Sequence, residues 1–80
     1  MLTMPTFFII DGIKIDFYYN DHVPPHFHAI YAEYEVLIEI ESLKIHRGSL
    51  PKPQQKKILK WAKANQAQLN EIWEAMRPKS

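Results

Sequence analysis

Apolar and polar residues alternate with period two through the first half of the chain, then shift to three- and four-residue spacing in the last third. Phe7-Phe8-Ile9-Ile10 and Ile13-Lys14-Ile15-Asp16-Phe17-Tyr18-Tyr19 flank Asp11-Gly12. Asp-Gly between two such runs predicts a two-residue hairpin, because glycine accepts a positive φ freely. In the second run Ile13, Ile15, Phe17 and Tyr19 share one face, assigned to the core. Residues 27–31 predict a third strand and residues 34–40 a fourth. In the fourth, Tyr34, Val36, Ile38 and Ile40 alternate with Glu35, Leu37 and Glu39, so its second face is at least partly wet. Residues 43–46 predict a short fifth strand after a turn at Glu41-Ser42.

The helical period begins near Pro53, a residue tolerated in a first helical turn. Ile58, Trp61, Ala62, Asn65, Leu69, Ile72, Trp73 and Met76 then fall on one stripe, which predicts packing against the sheet. Unbroken from Pro53 to Met76, the helix would run about 36 Å at 1.5 Å per residue. That is long for so small a domain. Asn65 with Gln68 three residues on has the pattern of a capping box, so a break is expected there. The predicted fold is α+β: an antiparallel sheet of four to five strands, then a broken helix or two helices packed on one face.

At 80 residues the chain has room for a single domain, residues 1–80, whose small core leaves a thin margin of stability. It has no cysteine, which excludes disulfides, thiolate nucleophiles and Cys-based zinc sites. No basic N-terminal region or long apolar run suggests a secretory signal or a bilayer span, and a cytoplasmic protein without membrane contact is expected. The formal net charge is +1, so the strong basicity of a dedicated nucleic-acid binder is missing. Charge is nonetheless segregated. Lys52, Lys56, Lys57, Lys60 and Lys63 share one segment, and Glu33, Glu35, Glu39 and Glu41 another.

The chemistry concentrates in Asn20-Asp21-His22-Val23-Pro24-Pro25-His26-Phe27-His28-Ala29, which holds three of the four histidines. Histidine titrates near neutral pH and is the commonest metal ligand. Strand alternation puts His26 and His28 on one face and Phe27 and Ala29 on the other. His22 lies in a loop stiffened by Pro24 and Pro25, able to fold back toward them. In a metal reading His22, His26 and His28 supply three imidazoles to Zn²⁺ or another divalent transition metal, with Asp21 as ligand or orienter. In a metal-free reading the same histidines are catalytic, exchanging protons with an RNA 2′-hydroxyl and its leaving oxygen beside Asp21. In the bland reading they are surface or structural histidines around a rigid turn, and the spacing does not decide among the three. His46, on the possible fifth strand, is a candidate to join the cluster. Arg47, in a predicted turn before the helix, and Lys52, at the helix start, are candidate anion-binding residues. The tyrosines and both tryptophans are expected to serve packing more than recognition.

The Asn20–Ala29 string, followed by Tyr34-Glu35, Leu50-Pro51 and Trp61-Ala62, resembles a widespread family of short bacterial proteins catalogued as a domain of unknown function. The likeness runs from Met4-Pro5-Thr6, which looks like the family's usual start, to Trp73, making Met1 to Thr3 an upstream extension. His22, Pro24, Pro25, His26, Phe27 and His28 match the family's motif. Two places depart from it: Ala32 stands where the hairpin turn often has glycine, and Lys52-Pro53-Gln54 replaces a more basic, arginine-containing run. The resemblance implies a neighbouring gene encoding a second small protein, as in toxin–antitoxin pairs, and hence a partner surface on a strand edge or helix face. The first expectation is therefore a toxin–antitoxin-like module whose histidines bind or cleave RNA without a metal. The alternatives are a small metal-binding protein and an interaction partner with a purely structural loop.

Overall fold

The computed structural model describes residues 6–78, and the expected start at Met4-Pro5 lies outside them. The strands are β1 (Thr6–Ile10), β2 (Ile13–Asp16), β3 (His26–Tyr31), β4 (Tyr34–Glu39) and β5 (Ile45–Ser49), followed by helices α1 (Lys52–Ala64) and α2 (Gln66–Ala75). The strands form one antiparallel meander in the order β1-β2-β3-β4-β5. The α+β architecture is as the hydrophobic pattern predicts, with five strands and two helices.

The Asp11-Gly12 hairpin forms with φ of 49° and 82°, both central residues left-handed as its turn type requires. Ile13, Ile15, Phe27, Ala29, Val36 and Ile38 on the sheet pack with Ile58, Ala62, Leu69 and Trp73 of the helices in one core. Each large apolar side chain buried there contributes about 1.5–3 kcal/mol. Trp61 joins sheet to helix through edge-on contacts with Phe8 and Phe27, at centroid distances of 5.1 and 6.4 Å.

Four local expectations change. β2 stops at Asp16, where its pairing with β3 ends at His28. Phe17 is still buried, but Tyr19 is 52% exposed and leaves the core. The chain departs the sheet because Asn20, at φ 56°, turns it toward α2 and donates its N–H to the Met76 carbonyl at 2.8 Å. The fifth strand covers Ile45–Ser49 instead of residues 43–46, since Leu43 takes a left-handed turn conformation at φ 62°. Arg47-Gly48 consequently lies inside β5 and not in a turn. The β4–β5 register shifts between Leu37 and Ile38, and Gly48 sits at φ 76° where an added Cβ would fall 2.1 Å from the Glu35 carbonyl oxygen. Only glycine allows that approach.

The helix breaks at Asn65 as expected, but not by a capping box. The Asn65 side chain makes no N-cap hydrogen bond, and its Nδ2 instead donates back to the Trp61 carbonyl at 2.8 Å. It closes the end of α1 more than it opens α2. No helix among the described residues is long and apolar enough to cross a membrane.

Candidate functional site

β3 sends Phe27 and Ala29 into the core and its alternate residues, His26 and His28, to the other face, as the period-two pattern requires. The register sets His28 between Asp16 on β2 and Leu37 on β4, with Arg47 one strand further along the row. Residues 17–25 loop over the end of this row. Two bonds tie the loop to the end of α2: the Asn20 N–H to the Met76 carbonyl, and Arg77 Nη1 to the Asp21 carbonyl at 2.9 Å. Arg77 also lies over the Trp73 ring, 5.4 Å from its centroid. The loop thereby holds the Asp21 carboxylate above the two histidines.

Asp21 Oδ2 stands 2.8 Å from His26 Nε2 and 3.4 Å from His28 Nε2. The remaining ring nitrogens are also engaged, His26 Nδ1 with the Pro24 carbonyl at 2.8 Å and His28 Nδ1 with Glu35 Oε2 at 3.0 Å. Tyr18 stacks on the His28 ring at 4.1 Å, and Trp73 packs against His26 at 5.1 Å. The His26 side chain is 2% exposed, His28 10% and Asp21 15%. One ligand atom from each of Asp21, His26 and His28 lies within 4.8 Å of the others.

Hydrogen-bond accounting constrains this cluster. A carbonyl oxygen only accepts, so His26 Nδ1 carries a hydrogen. In the neutral ring Nε2 would then turn its lone pair on a carboxylate 2.8 Å away. Burial pushes the Asp21 carboxyl up, but the His22 N–H, at 2.9 Å from Oδ1, and the His28 and His26 rings outweigh it and hold the group below its ordinary value. Asp21 is therefore ionised near neutral pH, and the position between it and His26 calls for positive charge. A proton on Nε2 supplies that charge, and so does a metal ion. His28 presents the same arrangement, with carboxylates facing both nitrogens. The Tyr18 phenol is pushed up by burial and by the nearby Glu35, Asp16 and Asp21 carboxylates.

The other sequence candidates divide. His22 is exposed, its Nε2 3.8 Å from Asp21 Oδ1 and its ring centroid 5.5 Å from that of His26, and it stands outside the closest group. His46 is not drawn in: it pairs with Glu39 Oε1 at 3.0 Å. Arg47 shares an open cleft of about 190 Å³ with His28, Glu35, Leu37 and Gly48. Lys52 is an exposed residue at the start of α1. The sequence places Glu35 only in the acidic segment and the family string, and Tyr18 only among tyrosines expected to serve packing, neither of them in the site. The two-residue β3–β4 turn carries a signal for Glu35, because it pairs Tyr31 with Tyr34 and so puts Glu35 diagonally across from His28. Tyr18 reaches His28 from a loop, where no periodicity applies.

A family model described as a domain of unknown function, DUF4160, matches residues 12–74. The chain belongs to this family. The DUF4160 match includes Asp21, His26, His28 and Glu35 and begins after β1. No curated protein and no solved structure gives a significant match to the chain.

Proposed function

We propose that Asp21, His26 and His28 form a divalent transition-metal site and that the protein is a small metal-binding protein. One observation carries this reading: both histidines hold Nδ1 against an oxygen and turn Nε2 to the same carboxylate oxygen. Metal-ligating histidines use that arrangement, in which the second nitrogen donates to a carbonyl or carboxylate that fixes tautomer and orientation. Nitrogen and oxygen donors suit Zn²⁺, with Fe²⁺ and Ni²⁺ as alternatives. Tetrahedral ligands at 2.0–2.1 Å stand about 3.3 Å apart. His28 and Asp21, at 3.4 Å, already have that spacing, whereas the 2.8 Å His26–Asp21 contact must open by about 0.5 Å. His22, beside Asp21 and free to swing, is the natural fourth ligand.

Metal-free acid–base chemistry on RNA has one observation in its favour, the cleft that His28 shares with Arg47. It also requires a polymer to exchange protons with His26, whose ring is buried. A metal site tolerates that burial. The test is Zn²⁺ titration of chelator-stripped, untagged protein, read by calorimetry and thermal melting. Binding in the micromolar range or tighter is expected, with stability raised by about 2.7 kcal/mol at a free Zn²⁺ concentration 100 times Kd. His28→Ala should weaken binding by about tenfold or more, and His46→Ala should leave it unchanged. If Zn²⁺, Ni²⁺ and Fe²⁺ all fail to bind or to raise the melting temperature, the cluster is a hydrogen-bonded lock on the loop.

A further inference from the structure

The two edges of the sheet are built differently. β5 carries His46, Arg47 and Gly48 and a register irregularity, devices that discourage another strand from adding on. β1 shares only the irregularity, a register shift between Thr6 and Phe8. Its sequence, Thr6-Phe7-Phe8-Ile9-Ile10, contains no charge, proline or glycine. It lies first in the strand order, and among the described residues nothing pairs with its outer edge. Ile9 is 68% exposed and Phe7 39%, so the edge presents apolar side chains as well as backbone donors and acceptors.

Beside the end of β1 runs a groove of about 620 Å³, walled by Ile10, Trp61 and Pro53 and rimmed by Lys56, Lys57 and Lys60 of α1. Lys57 is engaged by Asp11 at 2.6 Å. Lys56 and Lys60 have no carboxylate partner among the described residues. A strand added along β1 would thus run next to unneutralised positive charge.

We infer that the outer edge of β1 accepts a strand from an acidic protein partner, whose carboxylates meet Lys56 and Lys60. The inference is independent of the metal site. Three occupants compete for this edge, and charge separates them. A second copy, paired antiparallel through β1, would keep both α1 helices on the same side of a continuous sheet. The two lysine rims would then oppose each other across the two-fold axis. A nucleic acid would satisfy the lysines but leave Ile9, on the sheet face opposite α1, uncovered and offer no peptide groups to the edge. An acidic strand meets both demands, with main-chain bonds giving affinity and alternate side chains giving selectivity.

The experiment uses ¹⁵N-labelled full chain and a capped seven-residue peptide alternating glutamate with valine. The peptide is expected to shift the backbone signals of β1 together with those of Lys56 and Lys60. Replacing its glutamates by lysine, or its central valine by proline, should each weaken binding at least about tenfold, the second by removing a ladder donor. Lys56→Glu combined with Lys60→Glu lies on an exposed face, so the melting temperature should hold, and this variant should now prefer the lysine peptide. Ile9→Glu should weaken the acidic peptide without unfolding the protein. Shifts confined to α1, with the proline peptide binding equally well, would reduce the effect to charge attraction and overturn the proposal. So would a concentration-dependent dimer abolished by Ile9→Glu, or a single-stranded RNA that displaces the peptide at equal or lower concentration. Absence of binding at millimolar peptide would also end it.

Discussion

The His26–Asp21 and His46–Glu39 contacts have nearly the same length, 2.8 and 3.0 Å, and both hold a carboxylate against an imidazole Nε2. They differ in what surrounds them. The His26 side chain is 2% exposed and both its ring nitrogens face oxygens, one of them a carbonyl that can only accept. The His46 side chain is 37% exposed, on the irregular part of β5, and Glu39 also takes a hydrogen bond from Ser42. Water can serve whatever the protein leaves unsatisfied around His46. Around His26 it cannot, so the positive charge demanded there must come from a proton or an ion. Contact distance thus says little about chemical capacity, and the fate of the second nitrogen says much more.

The largest expected effect tests this directly. His26→Ala removes a buried ring packed on Trp73 and strips the Asp21 carboxylate and the Pro24 carbonyl of a donor. A loss of about 3 kcal/mol is expected in urea or guanidinium unfolding of metal-free protein. His46→Ala, at a solvated pair, should cost no more than about 0.5 kcal/mol. Similar losses for the two variants would erase the distinction drawn between them.

Asp21→Asn comes next. The amide keeps the shape but loses the charge that faces both His26 and His28, and a destabilisation of about 1–2 kcal/mol is expected. Zn²⁺ should no longer stabilise this variant. Because the Asp21 carboxyl is held below its ordinary value, its contribution is present above the unfolded value of about 3.9 and is lost as pH falls through the folded value. Acid unfolding of the wild type should therefore be steeper than that of Asp21→Asn. Superimposable acid profiles would show that the charge contributes nothing to holding the loop.

How much of this was legible beforehand follows from the range of the interactions. The β3 alternation is a backbone property, so the separation of His26 and His28 from Phe27 and Ala29 could be read from spacing alone. The Asp-Gly hairpin and the break at Asn65 are likewise local. The sequence pattern failed where tertiary contacts overrode it. Tyr19 continued an apolar alternation, but the Asn20–Met76 bond pulls the chain off the sheet. Arg47-Gly48 looked like a turn because glycine's usual use is to reverse the chain, whereas here Gly48 lets β5 pass close to the Glu35 carbonyl. Asp21 could be named as ligand or orienter from its place beside the histidines, but Arg77 and Met76, which hold its loop over them, lie more than fifty residues further along the chain. No spacing rule reaches that far.

The smallest effect belongs to the exposed pair. Hydrogen bonds from His46 and Ser42 hold the Glu39 carboxyl below its ordinary value, with little opposition from burial. The sign is the same as for Asp21: the favourable contribution is present above the unfolded value of about 4.3 and disappears as pH falls through the folded one. Screening by solvent makes the consequence for stability slight, so the measurement must be the carboxyl titration itself, followed by side-chain NMR. Its midpoint should lie below that of an unperturbed glutamate and move upward in His46→Ala, and raising the salt concentration should reduce that difference. Asp21, screened from solvent by the loop, should show a midpoint much less sensitive to salt. Equal salt dependence at the two carboxylates would mean that Asp21 is as well solvated as Glu39, and the demand for a buried positive centre would fall with it.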